Sequence, residues 1–311
     1  MKNSFSTRSW WFVGLIGVGM PLFFQNCKHK TAANSDRFVR DSSEFVVDES
    51  FSPIVDEELY IFRALDSTVH PKIVYAPENE AVNLLMADSL RVAILSRELT
   101  AQEKNVLNSR NLKSNVYCFA IDAVALIVNK QSSDTTITVS EIKKMLHGDT
   151  KQDKNIVFDN PNSGLVNYLK EFSGSPILKQ KNIYALKSNK DVIKYVSEHA
   201  NAIGIVGFSW LNDPDKDYAD AVGKVKIVGV SDDVSKNAPK GYFTPSQTTL
   251  ALKQYPLKRN LYILNWTGSI YSLGMKFAEF LKGDRGQRII LKSGLLPYDI
   301  PGREINIVKL K

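Results

Sequence analysis

From residue 44 onward, short apolar runs alternate with amphipathic stretches, and this alternation constrains the fold more than any other feature. The runs at 44–48, 72–76, 90–96 and 155–159 have the length and apolar content of strands, and the segments between them carry apolar residues at helical spacing. Repeated strand–helix alternation implies open, largely parallel sheets, which bind ligands beyond the carboxyl ends of their strands. The sequence therefore predicts an α/β protein in which helix N-termini converge on a cleft.

Local capping signals place several helix ends. Pro53 suits the first turn of a helix, and Thr100 followed by Glu103 forms a capping-box pattern. Gly148 closes a predicted helix over 139–147, and Ser188 caps another. The other predicted elements are a long strand over 115–129, a helix over 163–172, a strand through AIGIVGFSWL, extended structure over 249–265 and a C-terminal helix pair.

Composition excludes several classes of protein. Forty Lys and Arg against 33 Asp and Glu give a net charge of +7, with basic and acidic residues interleaved along the chain. That pattern is typical of a solvated surface rather than a nucleic-acid patch. The two cysteines, Cys27 and Cys118, form no C-x-x-C pair, and the four histidines are isolated, so we predict neither a metal site nor a cofactor. Cys118, inside an apolar strand, is expected to be a small buried hydrophobe.

The N-terminus has the pattern of an export signal. Lys2 and Arg8 precede an uncharged run from Trp10 to Phe24, which is shorter than the roughly 20 residues that a spanning helix needs. Cys27 follows this run after Gln25 and Asn26, an arrangement that resembles a bacterial lipoprotein signal. We therefore expect residues 1–26 to be a signal peptide, Cys27 to be lipidated and 27–43 to be a polar tether. The alternative is a short uncleaved anchor with an incidental thiol.

Several segments occur in an order that resembles a known family: IDAVALIVN, TVSEIKKMLHGD, FDNPNSGLVNYL, YPLKRNLYI and FAEFLKGDRGQRIILKSGLLP. Together they resemble the phosphate-type substrate-binding proteins of ABC transporters, in the periplasmic binding protein superfamily. The resemblance implies two lobes, each with an open α/β sheet, joined by two hinge strands. Lobe one would comprise 44–128 plus 248–311 and lobe two 129–247, with crossings near Val128–Lys130 and Thr248–Leu252.

The resemblance also implies a ligand site. In the family, backbone N–H groups at helix N-termini, hydroxyls, one Arg and one Asp hold an oxyanion, because helix N-termini are ready-made anion sites. Two charged positions differ here: Arg97 stands after Ser96 where the family usually has Asp, and Asp159 stands four residues before the Ser-Gly turn where it usually has Arg. The implied ligand-binding residues are Ser50, Phe51, Ser52, Ser96, Arg97, Asp159, Ser163 and Gly164.

Structural roles without any ligand remain open for the same residues. Arg97 would then form a salt bridge with Glu98, Asp159 or an acid of a neighbouring helix. Ser50 and Ser163 would be ordinary N-caps, and Asp122 a buried structural carboxylate. The segment PENEA at 77–81 argues against an anion, because Glu78 or Glu80 beside it is unfavourable unless the carboxylate turns outward.

These observations predict a lipid-anchored, exported protein, monomeric, facing the periplasm or the bacterial cell surface. By the resemblance it captures inorganic phosphate or a related oxyanion and delivers it to the permease of an ABC importer, with no enzymatic activity. The first alternative is a surface lipoprotein of the same fold that binds another solute or acts in sensing or scavenging. The second is an exported hydrolase, although no G-x-S-x-G, H-E-x-x-H or G-x-x-x-x-G-K motif is present.

Overall fold

The computed structural model describes residues 44–110, 114–149, 154–178 and 181–301. The predicted signal peptide, Cys27 and the tether lie outside the described residues. Within the described ranges, no helix combines the length and the apolar character needed to cross a bilayer.

The first half of the chain follows the predicted alternation closely. A 3₁₀ turn over Glu49–Phe51 joins the first strand to the first helix. The elements are β1 (Glu44–Asp48), α1 (Ser52–Leu65), β2 (Lys72–Ala76), α2 (Glu78–Met86), β3 (Val92–Leu95), α3 (Ala101–Asn108), β4 (Asn115–Asn129), β5 (Thr136–Thr138), α4 (Val139–His147), β6 (Asn155–Phe158) and α5 (Gly164–Ser173).

The second half contains more short elements than the pattern indicates. They are β7 (Ile183–Ala185), α6 (Asn189–Glu198), β8 (Ala202–Gly207), α7 (Ser209–Asn212), α8 (Ala219–Val222), β9 (Val225–Ile227), β10 (Gly229–Ser231), α9 (Gln247–Ala251), β11 (Lys258–Asn265), α10 (Leu273–Lys282), α11 (Asp284–Lys292) and β12 (Leu296–Pro297).

The predicted capping signals are confirmed. Thr100 and Glu103 form a complete capping box at α3, and Thr138 with Glu141 forms another at α4. Gly148 closes α4 with a left-handed φ of 80°, a conformation that glycine adopts without steric cost. Ser163 and Ser188 cap α5 and α6 with their hydroxyls.

Three sequence expectations need correction. Strand β8 ends at Gly207 and the short helix α7 follows it, so the strand does not run through Trp210. Residues 249–251 are helical rather than extended, because Ser246 and Thr249 form a reciprocal cap that starts α9. The expected crossing strand at Thr248–Leu252 is therefore a helix. Cys118 is half-buried rather than buried.

The main sheet has the strand order β2-β1-β3-β11-β4-β8-β6-β7. Strands β1, β2 and β3 are parallel, as are β6, β7 and β8, whereas β11 runs antiparallel to both of its neighbours. Strand β4 belongs to both halves: its first part pairs with β11 and its last part with β8 and β9. The two predicted sheets are thus continuous through β4, and the carboxyl ends of β1 and β6 face the same cleft, where Asp48 and Gly164 meet.

Candidate functional site

Three fully buried carboxylates converge where the two halves of the sheet face each other. Asp48 ends β1, Glu78 begins α2, and Asp159 follows β6; the exposed fraction of each is 0%. They come from distant segments of the chain, and the fold brings them together because parallel strands deliver their carboxyl ends to one edge. The site is therefore built around negative charge.

Asp48 bridges the two halves through backbone N–H groups. Its Oδ1 accepts a hydrogen bond from the Ser50 N–H at 3.0 Å, and its Oδ2 accepts one from the Gly164 N–H at 3.1 Å. The first donor lies in the turn leading to α1 and the second at the first residue of α5. One anionic group thus joins two donors that both lie at helix N-termini.

Burial perturbs the acidity of Asp48. Loss of hydration raises the pKa of its carboxyl to about 7, and the charge of Glu78 pushes it in the same direction, while the Arg259 charge opposes both. Asp48 therefore takes up a proton more readily than an exposed aspartate does.

Asp159 lies in a second set of polar contacts. It accepts hydrogen bonds from Ser163 Oγ at 2.6 Å, from Asn189 Nδ2 at 2.9 Å and from Ser50 Oγ at 3.4 Å. Burial raises the pKa of Asp159 to about 6, and the Ser163 hydrogen bond and the Arg259 charge counteract part of that rise. The Ser50–Asp159 contact is a second link between the two halves of the chain.

Glu78 turns inward, which is the unfavourable orientation for an anion site. Its carboxylate accepts hydrogen bonds from Ser96 Oγ at 2.7 Å, from Arg97 Nε at 3.1 Å and from Asn167 Nδ2 at 2.9 Å. Asn167 belongs to α5, so this carboxylate too connects the two halves.

Arg97 is engaged by acids of neighbouring helices and not by Asp159, which was one of the salt-bridge partners that the sequence left open. Besides Glu78, its guanidinium binds Glu103 with Nη1 at 2.8 Å and Nη2 at 3.0 Å, and Nη1 donates to the Glu98 carbonyl. These contacts are salt bridges with acids of neighbouring helices, which the sequence analysis gave as the structural role of Arg97 without any ligand. One third of the Arg97 side chain is exposed at the rim of the site.

A buried guanidinium that the sequence analysis missed lies beside this cluster. Arg259 of β11 donates from Nε and Nη2 to Asp122 Oδ2, both at 3.0 Å, and its guanidinium lies 4.4 Å from the ring centroid of Phe51. The arginine is 4% exposed, and within the described residues its Nη1 has no hydrogen-bond partner. Asp122 is thus the buried structural carboxylate that the sequence suggested. The period-two alternation of Arg259 with Leu261 and Ile263 is the signal that places it on the buried face.

The structure brings together most of the predicted site residues. Ser50, Asp159, Ser163 and Gly164 are linked by the contacts above, and Ser50 is no N-cap because Asp48 caps its turn. A Cβ built on Gly164 would collide with Asp48 Oδ2 and lie 2.8 Å from both Glu78 Oε2 and Ser96 Oγ.

Phe51 and Ser52 lie at the edge of this cluster. Phe51 packs on Arg259, and Ser52 opens α1 beside Trp210, whose Nε1 donates to the Ser50 carbonyl at 2.8 Å. Among the residues that the structure describes, no set of His, Cys, Asp and Glu is arranged to hold a metal ion. What the site offers is two backbone donors for an anion, surrounded by three carboxyl groups.

Comparison with known proteins places this geometry in context. Residues 32–285 match the model of the PBP superfamily domain. The phosphate-binding protein PstS of Borreliella burgdorferi is 24% identical over 289 residues, which cover 87% of this chain and 92% of that protein. The phosphate-binding protein PstS of Staphylococcus aureus is 22% identical over 268 residues, or 82% of this chain and 78% of that protein.

The fold is also shared with solved structures. An ABC-type phosphate transport receptor from Vibrio cholerae superposes with a TM-score of 0.60 at 17% identity, over 82% of this chain and 98% of that one. At this identity the similarity concerns the fold.

Proposed function

The chain belongs to the PBP (periplasmic binding protein) superfamily, and on that premise we propose that it captures phosphate or a related oxyanion for an ABC importer. The observation that carries the proposal is the pair of N–H donors from Ser50 and Gly164, which come from opposite halves and hold one anionic group between them. A phosphate oxygen and a carboxylate oxygen accept such hydrogen bonds in the same way. This chain aligns with most of the length of the two relatives that are named phosphate-binding proteins.

The binding mechanism that we propose is closure of two lobes over the ligand. Lobe one comprises 44–128 plus 248–311 and lobe two 129–247. Ser50, Phe51 and Ser52 contribute from lobe one, together with Ser96 and Arg97. Asp159, Ser163 and Gly164 contribute from lobe two. Binding and lobe closure are the whole activity, with no chemical step, so the protein is not an enzyme.

We propose further that the protein acts outside the cytoplasm as a lipid-anchored monomer. Residues 1–26 direct export, Cys27 carries the lipid and 27–43 form the tether. The acyl chains hold the protein at the membrane, since each buried methylene contributes about 0.8 kcal/mol. The permease of an ABC importer is the partner that receives the ligand.

A thermal-shift titration of the full chain in detergent tests the proposal. Phosphate, sulfate, molybdate and chloride are compared at matched ionic strength and at pH 6, which lies below the raised pKa of Asp48 of about 7. A ligand that binds only the native state raises the unfolding midpoint, by a stabilisation of about 2.7 kcal/mol at 100 times its Kd. A midpoint that no oxyanion raises more than chloride contradicts phosphate capture.

The three buried carboxylates favour a second ligand class. A solute with a cationic amine would pair with Asp48, Glu78 or Asp159 and remove part of their mutual repulsion. The same titration with arginine and putrescine distinguishes the two classes. A larger midpoint shift with an amine than with phosphate would assign the site to that class, as in the alternative of a surface lipoprotein that binds a different solute.

A further inference from the structure

We propose that Asp48 is a built-in competitor of the ligand: its carboxylate holds the Ser50 and Gly164 N–H groups, and an oxyanion gains them only when that side chain swings away, which protonation of the carboxyl group favours. The proposal rests on the proposed function, because it concerns the same anion site. In this proposal, Asp48 determines the pH range in which the site accepts an anion and the number of protons taken up on binding.

The first argument is geometric. Both carboxylate oxygens of Asp48 are used, one on each donor, at 3.0 and 3.1 Å. Within the described ranges of the chain, neither N–H group donates to any other acceptor. An external oxyanion that lies across the same two donors would therefore have to occupy the volume of the Asp48 side chain.

Close packing supports the same conclusion. The α-carbon of Gly164 is so near to Asp48 Oδ2, Glu78 Oε2 and Ser96 Oγ that even a methyl group on it would clash. A phosphate is larger than a methyl group. It therefore enters only if Asp48 moves out of this space or the two lobes separate, which breaks the same hydrogen bond.

The second argument is electrostatic and considers every charged group that faces Asp48. Glu78 of α2 and Asp159 of the β6–α5 turn raise the energy of a negative charge at Asp48, and its neighbour Glu49 interacts with it in the same sense. Arg259 of β11 is the opposing positive charge. Arg97 acts on this cluster through its contact with Glu78.

With acids in excess at the site, adding a further anion beside an ionised Asp48 is unfavourable. A protonated Asp48, by contrast, has lost its charge and offers an O–H donor to the incoming oxyanion. Because burial raises the pKa of Asp48 to about 7, this proton is available within the physiological range. Anion binding is then coupled to proton uptake, with a limiting tenfold loss of affinity for each pH unit above about 7.

Two substitutions separate the parts of this proposal. Asp48→Ala removes the competing group, and Asp48→Asn keeps its shape and its cap on the 3₁₀ turn but removes the charge. The exposed Asp220→Asn is the matched control. Calorimetric titration of each full-length protein with inorganic phosphate from pH 5.5 to 8.5 gives the four Kd profiles. The Kd ratio of wild type to variant cancels the titration of phosphate itself, which all four proteins share.

We expect both Asp48 variants to bind phosphate at least tenfold more tightly than wild type at pH 8.5, with the ratio falling toward one at pH 5.5, and Asp220→Asn to follow wild type. If both Asp48 variants bind phosphate and wild type binds it at none of the pH values, the result would support the inference and refute phosphate capture by the native chain. Equal Kd profiles for wild type and the variants would overturn the inference and leave the proposed function in place. Binding by none of the four proteins would refute both.

Discussion

Glu58 shows at the scale of one residue how a single unpaired group limits stability. It lies on the buried face of α1 with 0% exposure, and neither of its carboxylate oxygens has a hydrogen-bond partner among the described residues. Burial raises the pKa of Glu58 to about 9, so the group is neutral in the folded protein at pH 7. A buried polar group without a partner costs about 1–3 kcal/mol.

Glu58→Met is therefore expected to stabilise the protein. The flexible thioether fills a similar volume without a polar atom that needs a partner. We expect the free energy of unfolding to rise by about 1–3 kcal/mol at pH 7, measured by urea denaturation. The control is Glu80→Met on the exposed face of α2, for which a change within about 0.5 kcal/mol is expected. A loss of stability in Glu58→Met would mean that the carboxyl group has a favourable role.

The site residues were only partly predictable from the sequence, for a reason that Arg97 illustrates. Its position after Ser96 identified it as a charged residue at a strand end, which is a local property. Its actual partners, Glu78 and Glu103, belong to α2 and α3, and their distance from Arg97 depends on how both helices pack on the sheet. The burial of Asp48 beside Gly164 likewise arises from contact between the lobes, which no local pattern records.

At the scale of elements, boundaries set by side-chain caps were predicted well and those set by tertiary contacts were not. The capping box at α3 and the glycine after α4 are local signals, and both elements lie where the sequence placed them. Helix α9 was missed because its cap uses Thr249 in place of the usual Glu or Gln, in a segment rich in β-branched residues. The end of β8 at Gly207 was missed because the following Phe208 and Trp210 continue the apolar run.

Helix α5 contacts the other lobe through its first residue as well as through Asn167, and Gly164→Ala tests this interface. The added methyl group meets the side chains of Asp48, Glu78 and Ser96, all of which belong to the other lobe. We expect the lobes to separate, with an increase in the radius of gyration in small-angle X-ray scattering, while far-UV circular dichroism stays unchanged. The control is Gly223→Ala, where the nearest atoms lie at ordinary van der Waals distance, at 3.5 and 3.8 Å. An unchanged radius for Gly164→Ala would show that the interface tolerates a side chain.

At the scale of the whole molecule, the continuous sheet places acidic groups where water cannot reach them. Asp159, Asp48 and Glu58 have pKa values raised by burial to about 6, 7 and 9, against roughly 4 in an unfolded chain. Between about pH 4 and each folded-state pKa, the folded protein holds a proton that the unfolded chain has released. Stability therefore falls as pH rises through this range and levels off above each folded-state pKa.

The free energy of unfolding is accordingly expected to decrease from pH 5 to pH 9, each group contributing at most about 1.4 kcal/mol per pH unit. Of these three groups, all contribute below about pH 6, Asp48 and Glu58 between 6 and 7, and Glu58 from 7 to 9. Urea denaturation of the full chain at closely spaced pH values measures the profile. Glu58→Gln should reduce the slope between pH 7 and 9, whereas Asp48→Asn should reduce it only below about pH 7. A wild-type stability that increases from pH 5 to 8 would contradict the assignment, since it would require these carboxyl groups to be ionised in the folded protein.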